Sequence, residues 1–213
     1  GSILIRTLNA GTLGVSGELM FSTGTASSGS SGSISIGTGT ASNGDGGDIM
    51  INVGDGNTLD GGHIHLFAGK TDADADSTGG SISIRSGFST IRSSGTIIIR
   101  TLDAGTTGVS GELMFSTGTT SSGASGSISI GTGTAAGGEG GDISVDVGTS
   151  STTAGGAVSL GAGSTGADGA NGGNVVIQSG STDSTNSAAA GGEMTLSAGT
   201  VSYTHLTLPT SHL

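Results

Sequence analysis

The chain has 213 residues, of which 46 are glycine, 31% hydrophobic, 2% aromatic and 10% charged, with a formal net charge of -11 and no cysteine. A globular chain of this length carries nearer half apolar residues around one thick core, so this composition excludes that design. Five Lys and Arg in total, never clustered, exclude a nucleic-acid-binding surface, and the missing cysteines exclude disulfides and thiolate metal sites. No run approaches the apolar length of a membrane span.

From Gly1 onward one short pattern recurs: Gly, a polar or small residue, a bulky aliphatic, any residue, a second bulky aliphatic, then small residues and another Gly. The opening glycines are Gly1, Gly17, Gly32, Gly47, Gly62, Gly80, Gly95, Gly111, Gly126, Gly141, Gly156, Gly173 and Gly192, mostly 15 or 16 residues apart. A fixed period of this kind is the mark of a stacked-repeat architecture. Counting each opening Gly as position zero, positions two and four are always aliphatic, Met or Phe, as in Leu19/Phe21, Ile34/Ile36, Ile49/Ile51 and Val158/Leu160. Position six is small: Thr23, Thr38, Val53, Ala68, Ser86, Thr101 and Ala162.

Alternation over six residues predicts a strand with one buried face, and the glycines and the wrong period exclude helix. About eight small residues follow each strand and supply turns and close backbone approaches. Two aliphatics per unit cannot alone offset the ordering of the rest, so neighbours must share a core. The fold predicted is all-β, a parallel β-solenoid of about 13 rungs of 15–19 residues. The alternative is an antiparallel β meander or sheet built from the same strands.

A larger repeat encloses the small one. Ile3–Gly54 matches Ile97–Gly148 at an offset of 94 residues, with roughly four positions in five identical. Residues 1–200 read as one continuous array, with super-repeats 1–94 and 95–191 and part of a third. Leu8 and Leu102 replace the closing glycine in the two 16-residue units, which suggests a bulge or corner. Arg6, Arg85 and Arg100, at outward position five, are expected to pair with loop or neighbouring carboxylates.

Candidate chemistry is sparse. Asp72, Asp74 and Asp76 alternate as in the opening of a calcium loop, where hard oxygens converge, but no bidentate Glu follows and the 94-residue counterpart, Ser164–Gly172, lacks them. A solvated insertion is preferred over calcium there, and calcium is the only cofactor the sequence suggests. Gly44–Asp48 and Gly138–Asp142 are similar to the glycine-aspartate calcium nonapeptides of β-rolls, which need a nine-residue period that is absent. His63 and His65 share a face, yet no third metal ligand is evident. The abundant serines read as turn residues rather than nucleophiles.

Thr-Gly-Thr at 23–25, 38–40, 117–119 and 132–134 is similar to the threonine ladders of ice-binding β-helices, though Asp55, Lys70 and Phe88 interrupt it. A turn-forming role is preferred. No glycosylation sequon of the Asn type occurs, so any sugars would be O-linked.

Val201–Thr210 holds the only Pro and the only Tyr, breaks the repeat and resembles a translated sequencing adapter. Residues 201–213 are therefore expected to be a non-native or disordered tail. The start at Gly1, inside a repeat, reads as a fragment of something longer.

Residues 1–200 resemble the long Gly/Ser/Thr-rich surface arrays of microbes, including adhesin stalks, phage-fibre-like tracts and algal surface proteins. That resemblance implies a structural or adhesive rod or spacer, extracellular or on the cell surface, without catalysis. It also allows lateral or end-to-end self-association and a glycan or surface ligand as partner. The alternative function is a binding module using the outward Ser/Thr/Asp face for ice, glycan or calcium.

Overall fold

A computed structural model describes residues 1–12, 14–72, 77–183 and 189–199. It divides into two units, Gly1–Arg100 and Thr101–Leu213. Neither contains a helix or a strand among the described residues. The parallel β-solenoid is thereby overturned, and so is the antiparallel meander, since both require backbone ladders between neighbouring segments.

The physical reason lies in what covers the aliphatic pairs. No described residue is buried, and the position-two and position-four side chains stand open: Ile34 is 54% exposed, Ile36 78%, Ile49 53% and Ile51 71%. The accessible surface is 21378 Å². A folded globule of this mass would show about 8,700 Å² and its unfolded chain about 29,000 Å². The two aliphatics of each unit are thus left open rather than enclosed in a core. Alternation specifies an extended segment with an apolar face, but a strand also needs a partner at ladder distance.

What does recur is a pinned loop. The chain bends sharply at 27–29, 42–44 and 57–59, and again at 121–123, 136–138 and 151–153, each time midway between one extended segment and the next. Behind each bend the two ends of the loop meet. A methyl group added to Gly32 would lie 3.3 Å from Thr23 Cγ2, and one added to Gly47 would lie 3.3 Å from Thr38 Cβ. The same approach joins Gly17 to Thr7, Gly62 to Val53, Gly80 to Ala68, Gly95 to Ser86 and Gly111 to Thr101. It continues with Gly126 and Thr117, Gly141 and Thr132, Gly156 and Val147, Gly173 and Ala162, and Gly192 and Ser179. Position zero of each unit therefore sits against position six of the unit before it, at every junction.

Hydrogen bonds reinforce several of these bases. The Gly80 N–H donates to the Gly69 carbonyl at 2.8 Å, Gly95 to Gly87 at 2.8 Å, Gly173 to Gly163 at 2.9 Å and Gly192 to Gly180 at 2.8 Å. Thr23 Oγ1 donates to the Gly32 carbonyl at 3.3 Å. Within the loops, short side chains hold the bends: Ser89 Oγ accepts the Arg92 N–H at 2.8 Å, and Ser150 Oγ accepts the Thr153 N–H at 3.1 Å. Such side-chain-to-backbone bonds are the local device that makes Ser and Thr turn residues.

The 94-residue super-repeat is visible in the backbone as well. Gly14 and Gly108 have φ of 129° and 138°, and Gly29 and Gly123 have φ of 94° and 102°. Gly14 and Gly108 belong to the two units that carry Leu8 and Leu102 in place of the closing glycine, but Gly29 and Gly123 share the positive φ in units that keep it, and the bulge expected at Leu8 and Leu102 has no strand among the described residues to interrupt. The expected pairing of Arg6, Arg85 and Arg100 is not found: among the described residues the ion pair present joins Lys70 to Asp72. The tail 201–213 lies outside the described residues.

The closing contact yields a direct expectation for Gly80, where an added methyl would meet Gly69 N at 3.2 Å and Ala68 Cβ at 3.3 Å. Gly80→Ala should weaken the bond to the Gly69 carbonyl by about 1 kcal/mol and speed hydrogen exchange at the position-80 amide about fivefold. Gly37→Ala, where a methyl meets nothing within 4 Å, should leave exchange at its neighbouring loop bases unchanged. Equal effects of the two substitutions, read by NMR exchange, would contradict the contact.

Candidate functional site

The residue types that carry chemistry fall on the odd positions and in the loops, where the units differ. In the unit opening at Gly62, positions one, three and five are His63, His65 and Phe67. Their rings form a row: the His63 and His65 centroids are 5.7 Å apart and tilted by 46°, and His65 and Phe67 are 5.7 Å apart and stacked at 13°. The row follows from extended backbone, in which alternate side chains project to the same side. It confirms that His63 and His65 share a face. The Ser144–Asp146 hydrogen bond, again between positions three and five, repeats the relation in the unit opening at Gly141.

Two imidazoles at this separation are two ligands, and zinc in a protein takes three or four. Among the described residues no group of three or more His, Cys, Asp and Glu is placed to hold a metal ion. That statement covers Asp45, Asp48, Glu139 and Asp142 of the two glycine-aspartate segments.

The Asp72, Asp74 and Asp76 cluster is only partly visible. Asp74 and Asp76 lie outside the described residues. Asp72 is exposed and engaged on both carboxylate oxygens, with Lys70 Nζ 3.0 Å from Oδ1 and 2.9 Å from Oδ2. An ammonium ion on the same side chain that a cation would use competes with it, although an exposed pair of this kind holds weakly.

The Thr-Gly-Thr motifs are used structurally. Thr23, Thr38, Thr117 and Thr132, the first threonine of each, are the residues that meet the next opening glycine. Their methyl groups face the base of the loop, which leaves the threonine ladder without half of its members. The turn-forming role expected of these motifs is not what they do: the bends fall after them, at 27–29, 42–44, 121–123 and 136–138, and the first threonine instead meets the loop base. The signal was available: a small or β-branched residue at position six always precedes a Gly at the next position zero.

Comparison with protein-family models, with curated proteins and with solved structures finds no match for this chain. Among the described residues, no helix is long and apolar enough to cross a membrane.

The aromatic row is open to a simple check. Phe67→Leu should move the His65 ring-proton shifts by a clear ring-current change and leave those of His63 nearly in place, because only His65 stacks on Phe67. Equal movement at both histidines in the proton NMR spectrum would refute the row.

Proposed function

We propose that this chain is a structural or adhesive spacer, displayed outside the cell or at its surface, in which repeated units set length and no unit performs catalysis. The observation that carries the reading is the uniformity of the junctions. Position zero meets position six at each of them, whatever residues occupy the odd positions and the loops between. A chain organised around a reaction concentrates its departures from regularity at one place, where strained backbone and converging polar groups are held together. Here the departures are scattered, as the His63–Phe67 row and the Lys70–Asp72 pair illustrate.

Rigidity from backbone ladders plays no part in this version of the spacer. Its regularity comes from loops pinned at their bases, each returning the chain to the point where the next extended segment begins. An acidic, Ser/Thr-rich exterior keeps such an array hydrated and disfavours nonspecific adhesion to anionic surfaces.

Modular length is the property to test. With fluorophores at Ser16 and Ser94, inside the first unit, deletion of residues 32–46 and separate deletion of residues 47–61 should shorten the mean distance by the same increment. The measurement is single-molecule energy transfer on dilute chain. Unequal increments, or no change, would overturn the spacer.

A further inference from the structure

We propose that the aliphatic side chains at positions two and four form a self-association face whose partner is a second copy of this chain. The inference deepens the spacer reading and rests on its repeated units. Three observations favour a second copy over other occupants.

The first is area. Ile34, Ile36, Ile49, Ile51, Ile82 and Ile84 are each more than half exposed, as are Ile64 and Leu66 between them. A stable complex buries about 800 Å² per partner, and these eight large aliphatics, all within Gly1–Arg100, offer exposed surface of that order. Exposed apolar surface of that extent marks an interaction site.

The second is charge. No Asp, Glu, Lys or Arg stands at position two, four or six anywhere in the array. The charged residues stand at odd positions and in loops, as at Asp48, Arg85 and Asp142, and sum to a net charge of -11. A partner that recognises charge has nothing to pair with on this face, and an anionic lipid surface is repelled by the remainder.

The third is pitch. Aliphatic pairs recur mostly every 15 or 16 residues, and a surface that engages several of them must present apolar groups at the same interval. A second copy does so by construction. Displacement by one unit gives nearly the same match, so the contact is open-ended and admits species larger than dimers.

Sedimentation equilibrium over a wide concentration range tests this. The wild-type mass should rise with concentration through multiples of 19.9 kDa. The triple variant Ile36→Asp, Ile51→Asp, Ile84→Asp should need at least about tenfold more protein to assemble. The variant Ser35→Asp, Ser81→Asp, Ser83→Asp adds the same charge at odd positions and should assemble as the wild type does. These side chains are exposed, so neither variant removes a core.

A monomer at all concentrations would overturn the proposal, and so would equal loss of assembly in both variants, which would reduce the effect to charge repulsion. Monomeric chain that binds neutral phosphatidylcholine vesicles would assign the face to lipid and overturn it as well. Unequal increments in the deletion experiment, made on dilute monomer, would overturn the spacer and leave the mass measurement to decide association independently.

Discussion

The architecture of this chain depends on one tight approach, between the residue at position six of a unit and the glycine that opens the next. The approach is closest where position six is bulkiest: Val53 presses on the face of Gly62, and a methyl added to Gly156 would lie only 2.6 Å from Val147 Cγ1. Threonine at the same place leaves 3.2–3.4 Å at Gly111, Gly32 and Gly141, so an added methyl would ask the threonine to give by a few tenths of an ångström. Glycine at position zero is therefore a packing requirement at Gly62 and Gly156, whereas at Gly95, Gly126, Gly173 and Gly192 an added methyl would stand at 3.4 Å, an ordinary contact. By contrast, Gly24, Gly37, Gly118 and Gly131 have nothing within 4 Å of an added methyl and serve chain freedom rather than fit.

Pinning the loops in this way limits how far each unit can stretch but gives it little stability of its own. A closed loop of about eight residues gains a hydrogen bond of roughly 0.5–1.5 kcal/mol, while each ordered residue costs about 1–2 kcal/mol of backbone entropy. Cooperative stability needs buried apolar area, and the chain keeps that area on its outside. The same fact explains why none of the described residues is buried.

Much of the unit was legible in the residues. Alternation predicts that positions one, three and five share a side, and the His63–His65–Phe67 row and the Ser144–Asp146 bond follow it. Loop composition predicts turns, and Ser89, Ser150 and Thr165 hold them by accepting backbone N–H groups on their hydroxyl oxygens. The 94-residue offset reappears as matched left-handed glycines at 14 and 108 and at 29 and 123. The solenoid was not legible, because a period states which residues are equivalent and not what they touch. Ile34 and Ile49 occupy equivalent places whether buried in a shared core or left open, and at 54% and 53% exposure neither is buried. Arg85 failed as an ion-pair predictor for a similar reason: an outward position fixes direction, whereas a salt bridge requires a carboxylate within 4 Å, and Lys70 met Asp72 by proximity in sequence.

The most direct measurement is a carbon-separated NOESY spectrum of the dilute, uniformly labelled chain. The account predicts cross-peaks across the loop bases, from Thr23 methyl protons to Gly32 Hα and from Val53 methyl protons to Gly62 Hα, with none between Ile34 and Ile49 or between Ile36 and Ile51. Strong Ile34–Ile49 and Ile36–Ile51 cross-peaks, with the loop-base peaks missing, would contradict it.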